Sequence, residues 1–124
     1  MTTTSYRSLT RAISTNLASL RSGAPQVMQG FNALAKAAVT EGVLNEKTKE
    51  LIALAIGGAT RCDGCIGFHS QALVRLGATL DEVHETLGIA IYMGGGPSLM
   101  YAANAIAAFE EFSATNARQA VSVG

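Results

Sequence analysis

Charge is scarce in this chain. Of its 124 residues, 15% are Asp, Glu, Lys or Arg, with nine basic and nine acidic side chains and a formal net charge of zero. A soluble domain ordinarily carries about a quarter charged residues. The shortfall implies helix faces that are covered by other subunits, and therefore a homo-oligomer. The basic residues stand singly, without the stripe that nucleic acid binding requires, so no nucleic acid partner is expected. No uninterrupted apolar run approaches the ~20 residues needed to cross a bilayer, so no membrane partner is expected either. The opening stretch, MTTTSYRSLTRAIS, is polar and lacks an apolar signal core, which points to the cytoplasm. Cysteine is also scarce: Cys62 and Cys65 are the only two. A chain of this length can bury a core without staples. In the cytoplasm, a close cysteine pair indicates redox chemistry or metal binding rather than a disulfide scaffold.

No segment alternates apolar and polar residues as a half-buried strand would, whereas helical spacing recurs throughout. Tyr6, Leu9, Ile13, Leu17 and Leu20 share one face of a first helix capped by Thr4 or Ser5 and broken at Gly23-Ala24-Pro25. A second runs from Pro25 to Ala38, proline suiting its first position. A third, capped by Asn45, spans Glu46 to Ile56 and ends at Gly57-Gly58; its apolar half, LIALAI, predicts deep burial. A fourth opens in the cysteine segment and stops at Leu76-Gly77. Thr79-Leu80-Asp81-Glu82 has the form of a capping box and starts a fifth helix to about Met93. Gly94-Gly95-Gly96 breaks the chain, and Pro97 opens a last helix to about Ala114, followed by a frayed tail over 115–124. The expected fold is all-α, about six helices in a single domain over residues 1–124.

Both cysteines lie in TRCDGCIGFH, residues 60–69. Haem attachment requires histidine directly after the second cysteine, and Ile66 stands there. Zinc could draw on Cys62, Cys65, His69 and a carboxylate, but structural zinc usually staples small loops and no second Cys or His pair exists. Redox chemistry fits better. With Cys65 in the first turn of a helix, His69 falls four residues on, on the same face, where its imidazole can reach the Cys65 sulfur. A base and a helix N-terminus both favour the thiolate. Gly64 and Gly67 leave the approach to the sulfurs open. Glu50 stands at the polar-to-apolar transition of the preceding helix. It is either an ordinary first-half helix acid beside Lys47 and Lys49 or a proton acceptor serving the thiols. His84, beside Glu82 and Glu85, reads as a surface or interface residue.

Glu50, eleven residues, Cys62-x-x-Cys65, three residues and His69 together resemble the signature of the AhpD-like alkylhydroperoxidase branch of the carboxymuconolactone decarboxylase superfamily. The stretches LNEKTKELIALAIGGATRCDGCIGFHSQALVRLGAT and DEVHETLGIAIYMGGGPSLMYAANAIAAFEEF are similar to the family core, taken here as about residues 40–112. The resemblance implies an all-α fold assembled as trimers or hexamers. It also implies a thiol-dependent peroxidase or disulfide reductase acting on a hydroperoxide or small disulfide. In that scheme Cys65 is the attacking sulfur, Cys62 resolves it into a disulfide, and Glu50 and His69 relay protons. An external dithiol, in some relatives a lipoyl group on a partner protein, reopens the disulfide. No cofactor and no metal is called for. Some relatives carry a histidine just before the second cysteine, where this chain has Gly64. That departure motivates a second reading, a disulfide-switched sensor or assembly protein with negligible turnover. The superfamily's lactone decarboxylases generally lack the cysteine pair, so Cys62 and Cys65 argue against that activity.

Overall fold

The computed structural model of the chain describes the backbone of residues 5–123 and the side chains of residues 5–118. Six helices follow one another: α1 (Tyr6–Gly23), α2 (Pro25–Val39), α3 (Glu46–Ala59), α4 (Asp63–Arg75), α5 (Leu80–Gly94) and α6 (Gly96–Val123). The described residues include no strand. Each start has a local chemical cause. Ser5 and Asn45 accept hydrogen bonds from the backbone amides of Ser8 and Thr48, the open donors of a first turn. Thr79 and Glu82 complete a reciprocal capping box. Glu82 also meets Lys47 of α3 at 2.7 Å. The break between α5 and α6 narrows to Gly95, whose φ of 72° lies in the left-handed region that glycine adopts at no steric cost.

Helices α3, α4, α5 and α6 pack on one another, and α1 lies across α4 and α6. Leu54, Ile66, Leu73, Val83 and Leu87 meet Ala102, Ala105, Ala108, Phe109 and Phe112 of α6 in the core. The three alanines let the other helices approach the α6 backbone closely. Full burial of a side chain such as Leu54, Ile66 or Leu73 stabilises by about 1.5–3 kcal/mol.

Two expectations, for the apolar half of α3 and for the end of α6, differ from what is observed. The apolar half of α3 is not buried throughout: Leu54 is inaccessible, but Ile56 is 57% exposed. The helix has neighbours on one side only, and its other side is open. Helix α2 buries no residue at all, since it touches only α1 and α3, and Val27, Phe31 and Leu34 are exposed. Finally, α6 does not stop near Ala114 but continues to Val123. The run from Thr115 contains neither glycine nor proline before Gly124, and the Thr115 hydroxyl donates back to the Glu111 carbonyl.

One long-range contact anchors α1. The Glu111 carboxylate of α6 accepts from the Tyr6 amide at 2.8 Å, the Ser5 hydroxyl at 2.9 Å and the Arg7 amide at 3.3 Å. An anion placed on a helix N-terminus satisfies open amides and favours the helix dipole. Partial burial pushes the Glu111 carboxyl up, but the Tyr6 amide, the Ser5 hydroxyl, the Arg7 amide and the Arg7 charge outweigh it, and the net shift is downward. A lowered folded-state value means the stabilisation is complete above the ordinary carboxylate range and disappears as pH falls through the lowered value. Glu111→Gln is therefore expected to cost about 1–2 kcal/mol at neutral pH. Urea denaturation should show the two proteins converging under strongly acid conditions; a pH-independent difference would refute the charge assignment.

Candidate active site

The site is built where α3 turns back into α4. Gly57 and Gly58 end the apolar run, and the chain reverses through Thr60, Arg61 and Cys62. Arg61, with φ of 60°, is the one non-glycine residue with positive φ among the described residues. Its left-handed conformation costs about 1 kcal/mol relative to an ordinary one. It turns the Cys62 amide onto the Gly57 carbonyl, 2.9 Å away. Cys62 then caps α4, its sulfur accepting from the Cys65 amide at 3.1 Å. Cys65 is the third residue of the helix, so both sulfurs sit at its positive end.

Cys62 and Cys65 are joined as a disulfide, with their Cα atoms 5.2 Å apart. The bond fits the turn because the cap and the third helical position lie over one another. His69 follows Cys65 by one helical turn, and its Nδ1 lies 2.6 Å from Oε2 of Glu50. An ionised carboxylate can only accept, so Nδ1–H donates to it, and in the neutral imidazole Nε2 keeps its lone pair. The Glu50 side chain is 8% exposed and that of His69 is 30% exposed. The acid is thus an inner support, and the imidazole reaches the surface.

The four expected site residues form two contacting pairs, the Cys62–Cys65 disulfide at the turn and Glu50–His69 across α3 and α4, with His69 one helical turn after Cys65. One detail differs: the imidazole bonds Glu50, not the Cys65 sulfur. A disulfide sulfur has no proton to give and is a weak acceptor, so the carboxylate wins. His84 is exposed on α5. Among the described residues, no group of three or more His, Cys, Asp or Glu side chains is disposed to hold a metal ion. No described helix is long and apolar enough to cross a membrane.

The glycines carry a packing load that the sequence pattern did not show. A Cβ on Gly64 would lie 2.9 Å from Cδ1 of Ile13, and one on Gly67 would lie 2.6 Å from Cγ2 of Thr10. Both therefore serve the packing of α1 on α4. A histidine at position 64 could not be accommodated without moving Ile13. Gly57 was not singled out by sequence pattern, being one glycine among several at a helix end. A Cβ there would stand 2.9 Å from the Cβ of Cys65. Its absence lets α3 support the cysteine turn directly. Gly57→Ala is expected to destabilise the fold by about 1–3 kcal/mol, the range for overpacking. It should also alter the rate of disulfide reduction by a dithiol, followed by thiol titration; unchanged stability and reduction would contradict the contact.

Residues 25–108 match the profile of the carboxymuconolactone decarboxylase family. An uncharacterised protein of Cupriavidus necator is 38% identical over 112 residues, 90% of this chain and 99% of that protein. The crystal structure of an apo carboxymuconolactone decarboxylase family protein from Legionella pneumophila superposes with a TM-score of 0.85 at 59% identity, covering 87% of this chain and 96% of that one. A family protein from Thermotoga maritima, for which involvement in an antioxidative response has been suggested, gives 0.79 at 29% identity, covering 89% and 94%.

Proposed function

The chain belongs to the carboxymuconolactone decarboxylase family, and on that premise we propose that it is a dithiol peroxidase or disulfide reductase that cycles through Cys62 and Cys65. One observation carries the reading: a disulfide at the N-terminus of α4 lies one helical turn from an imidazole whose Nδ1 is held by a buried carboxylate. The decarboxylation in the family's name has no use for such a pair.

In the reduced protein, Nε2 of His69 takes the thiol proton and Glu50 stabilises the resulting imidazolium. The Cys65 thiolate attacks the terminal oxygen of a hydroperoxide. The O–O bond breaks, an alkoxide leaves and takes the proton from His69, and Cys65 becomes a sulfenic acid. The Cys62 sulfur then attacks the Cys65 sulfur and water departs as the disulfide closes. Two electrons have passed from two thiols to one peroxide. An external dithiol, of which a lipoyl group on a partner protein is one form, restores the thiols by exchange and leaves as a disulfide. When the substrate is a small disulfide, the same dithiol reduces it by exchange.

The low charge fraction and the exposed apolar residues of α2, α3 and α5, among them Phe31, Ile56 and Tyr92, support assembly as a trimer or hexamer. A second reading, a disulfide-switched sensor, draws on Gly64. The relay lacks the histidine that some relatives hold there, and the redox turn is instead packed on Ile13 of α1. Steady-state consumption of tert-butyl hydroperoxide with dithiothreitol separates the two. Catalytic turnover supports the peroxidase, whereas one equivalent consumed with a change of oligomer on chromatography supports the sensor.

A further inference from the structure

We propose that the groove between α1, α4 and α6 is a binding site for an amphipathic organic anion, a carboxylate or phosphate head group on an apolar body. This goes beyond the dithiol reading and does not depend on it. The groove has a volume of about 640 Å³, within the size range of small-molecule sites. Arg7 and Arg11 line it from successive turns of α1, and Arg75 lines it from α4. No acidic side chain is part of the lining. Its aromatic surface comes from Phe68, at the rim, and Phe112, which is 6% exposed and forms the floor.

The arginines are only weakly committed elsewhere. Arg11 makes no ion pair among the described residues. Arg75 reaches Glu46 at 3.4 Å, but its side chain is 64% exposed. Arg7 has Glu111 nearby, whose oxygens already hold the Ser5 hydroxyl and the first amides of α1. Three guanidiniums facing one concavity in a chain of zero net charge repel one another, and a bound anion relieves that repulsion. A second hollow, lined also by Ser14 and Thr15, shares Arg11 and Phe68 with the first. The two form one trough in which a charged contact and an aromatic contact adjoin, as an amphipathic ligand requires. Neither cysteine nor His69 lines it, although Phe68 directly precedes His69. The trough is thus a separate site on the neighbouring face of α4.

Isothermal titration calorimetry on the full chain tests this with decanoate and decyl phosphate, against decanol and inorganic phosphate. The expected result is saturable one-to-one binding of at least one alkyl anion, with decanol and phosphate each at least about tenfold weaker. Arg11→Gln should weaken that binding about tenfold or more, the effect of losing a hydrogen bond between charged groups. Arg75→Gln should do the same, and serves alone if circular dichroism finds the first variant misfolded. Absence of binding by both anions overturns the proposal. So does decanol binding as tightly as decanoate, or affinity unchanged in both variants, which would put the alkyl chain on the exposed apolar faces instead.

Discussion

Replacing Cys65 by serine is expected to lower dithiol-dependent hydroperoxide reduction by about three orders of magnitude or more, since a hydroxyl in its place is no nucleophile toward peroxide at neutral pH. The companion variant, Cys62→Ser, separates the roles of the two sulfurs. It retains the attacking thiol but cannot close the disulfide, so it should consume about one equivalent of peroxide quickly and then stall, with a sulfenic acid that a dimedone-type reagent captures. The distinction follows from position. Cys65 lies within the first turn of α4, one turn before His69, whereas Cys62 is the cap that precedes the helix. Stopped-flow peroxide consumption and mass spectrometry read both outcomes. A burst in Cys65→Ser and none in Cys62→Ser would reverse the assignment, and full activity in either would end the dithiol mechanism.

The second large effect concerns the Glu50–His69 pair. Glu50→Gln keeps an acceptor for Nδ1–H but removes the charge that steadies an imidazolium. It should reduce kcat/KM for peroxide by about 10²-fold, within the range for general acid–base contributions. Its effect on stability should be about 1 kcal/mol or less, because a neutral amide is easier to bury than a carboxylate. His69→Ala should be as damaging to activity but different in stability. It strands the Glu50 carboxylate, 8% exposed, without its partner at 2.6 Å. The expected cost is about 2–3 kcal/mol, below that of a fully buried pair because His69 itself is partly solvated. Urea denaturation of both variants alongside their kinetics checks the contrast. Equal destabilisation would mean that Glu50 is a packing residue rather than an ionised support.

The local code was readable where a single residue type forces a backbone outcome. Pro25, the Thr79–Glu82 box and the Gly94–Pro97 break placed the helix ends to within a few residues. The four candidate site residues were readable because cysteine spacing and a helical return are local facts, while Glu50 stood out at the polar-to-apolar transition of α3 and then through family likeness. What remained hidden depends on distant parts of the chain. Ile52 and Ile56 look like core residues in the sequence but face outward, since periodicity does not say which sides of α3 find a neighbour. Gly64 and Gly67 look like spacers until Ile13 and Thr10 are seen against them. The Glu111 clamp on Ser5 and Tyr6 spans more than a hundred residues and leaves no pattern at either end. The same holds for the three arginines, which come together only when α1 is laid over α4.

The reversal through Arg61 has a consequence for how the motif's spacing should be understood. Across the α3–α4 hairpin, Gly57 abuts Cys65, Glu50 meets His69, and Glu46 reaches Arg75, each pair mirrored about the same few turn residues. The two helices behave like an antiparallel zipper whose register is set at the fold. The eleven residues between Glu50 and Cys62 are therefore not a measuring rod from acid to sulfur. They are the count that brings Glu50 opposite His69 once the zipper closes. Adding one residue to the turn would leave Cys62, Cys65 and His69 in their mutual places and rotate the acid out of reach, parting the proton support from an intact pair of thiols.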